Sequence, residues 1–121
     1  MPKTILIVDD SSMIRRIVGQ ILKGFGYSIL QAENGEIAYE VTKDRKPDLV
    51  VMDIEMPVLN GIDSTKKIKT DPDTSHIPVL MFTSLGSEED IRLSNEAGCS
   101  GFLNKPICES ELKSAIEKIL A

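Results

Sequence analysis

No stretch of this chain approaches the roughly 20 consecutive apolar residues of a membrane-spanning helix, so no transmembrane segment is expected. The opening residues MPKTILIVDD lack the basic end, long apolar centre and small-residue cleavage site of a secretory signal, and are expected to be a true N-terminus. Positive charge is short as well: 14 Lys and Arg stand against 19 Asp and Glu, a formal net charge of −5. Nucleic-acid and membrane-surface binders need a basic face, so neither class of partner is expected. The two cysteines, Cys99 and Cys108, form no CxxC and have no Cys/His cluster around them. Without a secretory signal they read as reduced thiols in a cytoplasmic protein. The single histidine, His76, lies in the polar loop TDPDTSH with no neighbouring ligand set and reads as a surface residue. No GxxxxGK[ST] phosphate loop is present, and GFG at 24–26 is not a dinucleotide fingerprint. There is no low-complexity segment and no linker, so residues 1–121 are expected to form one domain.

What is present is a rhythm. Apolar runs recur at 3–8 (KTILIV), 27–32 (YSILQA), 48–53 (DLVVMD), 77–82 (IPVLMF) and 101–104 (GFLN), and a helical pattern follows each. The first, third and fourth runs are almost continuously apolar, as parallel strands covered on both faces require. After the first run, Ile14, Ile17, Val18, Ile21, Leu22 and Phe25 recur at helical spacing, with Arg15, Arg16, Gln20 and Lys23 on the other, solvated face. Ser11 or Ser12 suits the start of this helix, and Gly24 and Gly26 suit its exit. Further helices are expected from Asn34-Gly35 to about Arg45, from near Gly61 to Asp71-Pro72, from Ser87 onward, and from Glu109 to Leu120. Strand alternating with helix five times gives an α/β fold with a parallel five-stranded sheet and right-handed crossovers.

Ligands of open α/β sheets bind beyond the carboxyl ends of the strands. The first run ends on Asp9 and Asp10, the third on Asp53, the fourth on Thr83 and Ser84, and the fifth on Asn104 and Lys105. Each has a plain reading alone: a helix cap, a turn residue, a helix-entry hydroxyl, a solvated lysine. Together they place three carboxylates, a hydroxyl and an ammonium at one edge. Crowded carboxylates take a proton or a cation, and an all-oxygen set suits a hard ion, Mg²⁺ above Zn²⁺. Lys105 and Thr83 then supply a point charge and a donor for phosphoryl oxygens. With no nucleotide loop, the phosphoryl group is expected on the protein, on a carboxylate acting as nucleophile.

The residues VDD at 8–10, D-x-x-M-P-x-x-N-G at 53–61, Thr83-Ser84 and Lys105-Pro106 resemble the receiver domain of two-component response regulators, over the whole chain. The resemblance implies a flavodoxin-like (βα)5 three-layer sandwich with strand order 2-1-3-4-5. It implies Asp53 as phosphoacceptor, Asp10 as direct Mg²⁺ ligand, Asp9 as its partner carboxylate and the backbone carbonyl of Glu55 as a further ligand. Lys105 matches the lysine that pairs with acceptor and phosphoryl group, and Thr83 the switch hydroxyl. Phe102, otherwise a core aromatic, occupies the aromatic switch position. Lys105-Pro106 resembles the family's cis peptide. The implied donor is a histidine kinase or histidine phosphotransfer domain. The implied receiver of the signal is a downstream effector or a missing output domain, reached through the face of helix 4, strand 5 and helix 5. In this reading the chain is not an enzyme but assists its own phosphorylation and dephosphorylation. Gly61 is expected to supply a positive φ after Asn60. Two other functions fit part of the pattern. One is a Mg²⁺-dependent phosphatase with an aspartyl nucleophile, whose D-x-D signature is absent: Glu55 stands two after Asp53. The other is a phosphorylation-independent interaction module, which would have lost acceptor, acidic pair or lysine.

Overall fold

The structure, a computed structural model, describes residues 2–121. Five strands alternate with five helices: β1 (Thr4–Val8), α1 (Ser12–Gly24), β2 (Ser28–Ala32), α2 (Gly35–Arg45), β3 (Leu49–Met52), α3 (Gly61–Thr70), β4 (Val79–Thr83), α4 (Glu88–Ala97), β5 (Gly101–Asn104) and α5 (Glu109–Leu120). The sheet is parallel throughout, in the order β2-β1-β3-β4-β5. This is the flavodoxin-like three-layer arrangement.

The layers follow from strand alternation, which points successive side chains to opposite faces. Leu6, Val8, Val50, Met52, Val79 and Met81 face one side and meet Ala38, Ile62, Ile68 and Ala97 of α2, α3 and α4. Ile5, Ile7, Leu49, Val51, Leu80 and Phe82 face the other and meet Val18, Leu22, Leu112 and Ile116 of α1 and α5. Both faces of β1, β3 and β4 are therefore covered, which is why their sequences are unbroken apolar runs. Fully burying each such side chain contributes about 2 kcal/mol. The edge strands β2 and β5 are only partly buried, and their sequences are correspondingly mixed.

Helix starts are fixed by side-chain caps. Ser11 accepts from the Ile14 N–H, Asn34 from Ile37, Asn60 from Asp63 and Ser87 from Asp90, each satisfying a donor that the first turn leaves open. Gly26 exits α1 at φ 95°. Tyr39 ties α2 to the end of α3 by donating its hydroxyl to Asp71. That bond, with help from the Asp73 N–H and Lys43, holds the Asp71 carboxyl down at about 2. No helix among the described residues is long and apolar enough to cross a membrane.

Candidate functional site: an acidic cluster closed by a lysine

The register of the sheet assembles the site. Val8 is level with Ala32 and Met52, and Thr83 with Asn104. The next residue of each strand continues the ladder: the Asp9 N–H donates to Ala32 O at 3.2 Å, Asp53 N–H to Val8 O at 3.0 Å, and Lys105 N–H to Thr83 O at 2.8 Å. The side chains that leave these positions meet. Carboxylate oxygens of Asp9, Asp10 and Asp53 all lie within 4.8 Å of one another. Asp9 and Asp53 are buried, at 3% and 7% exposure, while Asp10 is exposed. The Lys105 ammonium donates to Asp9 Oδ2 at 2.6 Å and reaches Asp53 Oδ2 at 3.4 Å.

The remaining contacts orient these groups. Asp9 Oδ1 accepts from the Ser11 N–H at 2.9 Å, and Asp53 Oδ1 from the Ile54 N–H at 2.8 Å. Thr83 is fully buried, and its oxygen accepts from the Leu85 N–H at 3.1 Å. That leaves the hydroxyl hydrogen to donate toward an oxygen at Asp53. Burial raises the Asp53 carboxyl above its ordinary pKa. Lys105 pulls it back, and the neighbouring Asp9 raises it further. For Lys105, burial works against the charged ammonium, but the hydrogen bond to Asp9 and the charges of Asp53 and Asp9 win and raise its pKa. The cluster thus holds more negative than positive charge, partly dehydrated, which is a site for a cation. Its donors are all oxygen, as Mg²⁺ requires.

Other expected residues fall as follows. Glu55 is exposed in the β3–α3 loop, and its carbonyl takes no part in the loop's backbone hydrogen bonds. Phe102 is half-buried on β5 and packs against the core on the α2–α4 side. The Lys105-Pro106 peptide is cis. Cys99 is partly buried and Cys108 exposed.

Two readings of the sequence need correction. Gly61 has no positive φ; only Gly26 and Gly98 do among the described glycines. It is glycine because α3 starts directly over the acceptor, and a Cβ there would sit 1.9 Å from the Asp53 carbonyl oxygen. The left-handed residue of that loop is instead Val58, at φ 70° and 81% exposed. Arg15 is not simply solvated. Its Nη1 donates to the Asp9 carbonyl at 2.6 Å and its Nε to Gln31 Oε1 at 3.1 Å, tying the end of β1 to α1 and β2. Arg15 supports the end of β1 beside the cluster, and nothing in helical periodicity marks it, because its partners lie outside the helix.

Fold and site together define a doubly wound α/β domain with a lysine-closed acidic cluster at the carboxyl edge of its sheet. The family model of the response regulator receiver domain matches residues 5–117, and the chain belongs to that family. Chemotaxis protein CheY of Halobacterium salinarum is 39% identical over 120 residues, covering 99% of this chain and 98% of the relative. The phosphate regulon transcriptional regulatory protein PhoB of Pseudomonas aeruginosa is 38% identical over 118 residues; the match takes in 98% of this chain but 52% of PhoB, about half its length. Among solved structures, chemotaxis protein CheY4 of Vibrio cholerae superposes with a TM-score of 0.93 at 28% identity, covering 99% of this chain and 100% of that one. The chain is thus a receiver domain of two-component signalling, a family of phosphorylation switches that work with histidine kinases and downstream effectors.

Proposed function

We propose that this domain accepts a phosphoryl group onto Asp53 from a phosphohistidine of a histidine kinase or phosphotransfer protein, and that the acyl phosphate shifts its partner-binding face. The observation that carries the reading is the single cluster in which Asp53 lies beside two carboxylates and one ammonium at the mouth of a parallel sheet. An Asp53 carboxylate oxygen attacks phosphorus, the P–N bond to the imidazole breaks, and the leaving imidazole takes up a proton from solvent. The Ile54 N–H fixes one carboxylate oxygen, leaving the other as nucleophile. Lys105, already shared between Asp9 and Asp53, follows the incoming phosphoryl oxygens and offsets their charge. The Thr83 hydroxyl donates to a phosphoryl oxygen.

The residues fit a Mg²⁺ ion: Asp9, Asp10 and Asp53 would hold it, with the Glu55 carbonyl. When bound it would supply a divalent charge that stabilises the transferring phosphoryl group and offsets the crowded acids. Phosphorylation adds roughly −1.5 to −2 charge at Asp53. Movement of Thr83 toward it frees Leu85 and loosens the β4–α4 loop. Half-buried Phe102 then repacks, by apolar burial alone since it carries no hydroxyl, and the face of α4, β5 and α5 changes.

The domain is read as a phosphoacceptor, not as a turnover enzyme. Glu55 is exposed and is not among the carboxylates gathered at Asp53, and the D-x-D signature of the phosphatases is absent. The test is intact mass after incubation with acetyl phosphate and Mg²⁺. One phosphoryl adduct is expected on the native chain, absent without Mg²⁺ and absent in Asp53→Asn. Multiple turnovers of an organic phosphate by catalytic amounts of protein would instead establish the phosphatase.

A further inference from the structure

Away from the acidic cluster, the molecule has a cavity of about 790 Å³. It opens at the amino ends of β1, β3, β4 and β5 and runs along the edge of β5 under the last turns of α5. It is an open groove with a mixed polar and apolar lining rather than an enclosed pocket. On the α5 side of the sheet its floor is apolar, formed by Leu103, Ala115 and Ile119 over buried Leu80, with Phe102 on the opposite side of β5. Gly101 keeps it open, since a Cβ there would lie 3.1 Å from Leu80 Cδ1 and 3.6 Å from Ile119 Cδ1.

The walls are basic. Lys3, Lys69, Lys118 and His76 line the cavity, against Asp48 as its one acid. That balance is the reverse of the chain's net charge of −5. Asp48 already accepts from the Thr4 N–H at 2.7 Å. None of the three lysines pairs with a carboxylate among the described residues. Lys69 is half-buried and donates only to carbonyls, to Ser75 O at 3.0 Å and Ile77 O at 2.8 Å. Burial depresses its pKa, as expected for an ammonium that has lost water without gaining a counter-ion. An apolar floor ringed by unneutralised cations complements a molecule with an apolar body and one anionic end.

We infer that this groove binds a small amphiphilic carboxylate, its hydrocarbon body against Leu103, Ala115 and Ile119 and its anionic group among Lys3, Lys69 and Lys118. Octanoate is the probe, followed by backbone amide shifts of the full chain. Shifts should concentrate at Gly101, Phe102, Leu103 and Ile119, and octanoate should bind at least tenfold more tightly than octanol. The double variant Lys3→Glu/Lys118→Glu changes two exposed side chains and should weaken octanoate at least fivefold while leaving octanol unchanged. Ala115→Met, which fills the floor, should weaken both. Shifts scattered over the surface, equal affinity for octanoate and octanol, or a double variant that binds octanoate as the native chain does would each overturn the inference. So would binding of an acidic Glu-Val repeat peptide at this site with no response to octanoate, which would assign the surface to a protein partner.

Discussion

At the carboxyl ends of the strands, Asp9, Asp10 and Asp53 crowd around one lysine; at the amino ends, Lys3, Lys69 and Lys118 surround a cavity with one aspartate in its wall. The two ends are also built differently. The acidic groups sit one residue past β1 and β3, held by ladder hydrogen bonds to the neighbouring strand. The basic groups come from a strand lead-in and from the ends of α3 and α5. Left-handed backbone outside glycine occurs at both ends, at Lys46 (φ 48°), which ends α2 just before β3, and at Val58 (φ 70°). A carboxylate with a raised pKa, a left-handed valine and a glycine pressed on a carbonyl oxygen all lie at the acidic end.

The contrast can be broken by substitution. Gly61→Ala should have the largest effect, because the neighbour of its Cβ is backbone that cannot yield. A loss of about 3 kcal/mol or more is expected in urea unfolding. Lys105→Met removes the only ammonium paired with Asp9 and Asp53 among the described residues, and should cost about 2–3 kcal/mol at neutral pH, partly recovered by millimolar Mg²⁺. Asp53→Asn should act the other way and stabilise the metal-free domain by about 1 kcal/mol. The sign follows from the raised pKa. Folding favours the protonated Asp53, so its charged form burdens the native state once pH rises through the ordinary carboxylate range and beyond the folded value. The advantage of the variant should therefore shrink toward zero below about pH 4. Val58→Asn keeps an exposed residue but one that tolerates the left-handed region, and should add about 1 kcal/mol in the same unfolding assay. Lys118→Glu, at the opposite end, should change stability by less than about 0.5 kcal/mol. A loss there as large as that of Lys105→Met would remove the distinction between the two ends.

Much of the acidic end could be read from the sequence, because each of its residues terminates a run whose period and length mark a strand. Asp9, Asp53, Thr83 and Lys105 are legible in that way, as are the caps Asn34 and Ser87. What escaped depends on contacts across the fold. Gly61 looked like a turn glycine since a sequence shows that a side chain is missing, not what would collide with it. Val58 gave no sign of its φ, since a β-branched residue is among the last expected there. Arg15 matched the polar side of an amphipathic helix, and only its reach to the Asp9 carbonyl distinguishes it from Arg16. The cavity draws on residues from Lys3 to Leu120, so no local pattern announces it.

The hydrogen bond from Asp53 N–H to Val8 O has a consequence for how the chain tolerates insertions and deletions. Adjacent strands stand about 4.8 Å apart, and that pitch acts as a ruler between the two acids that follow β1 and β3. Side chains need only emerge at the right step to inherit the spacing. Deleting one residue within Leu49–Met52 would turn the next side chain to the opposite face and carry the nucleophile out of reach of Lys105, however well the sheet re-formed. Length variation should therefore not be tolerated within the four residues that lead to the acceptor.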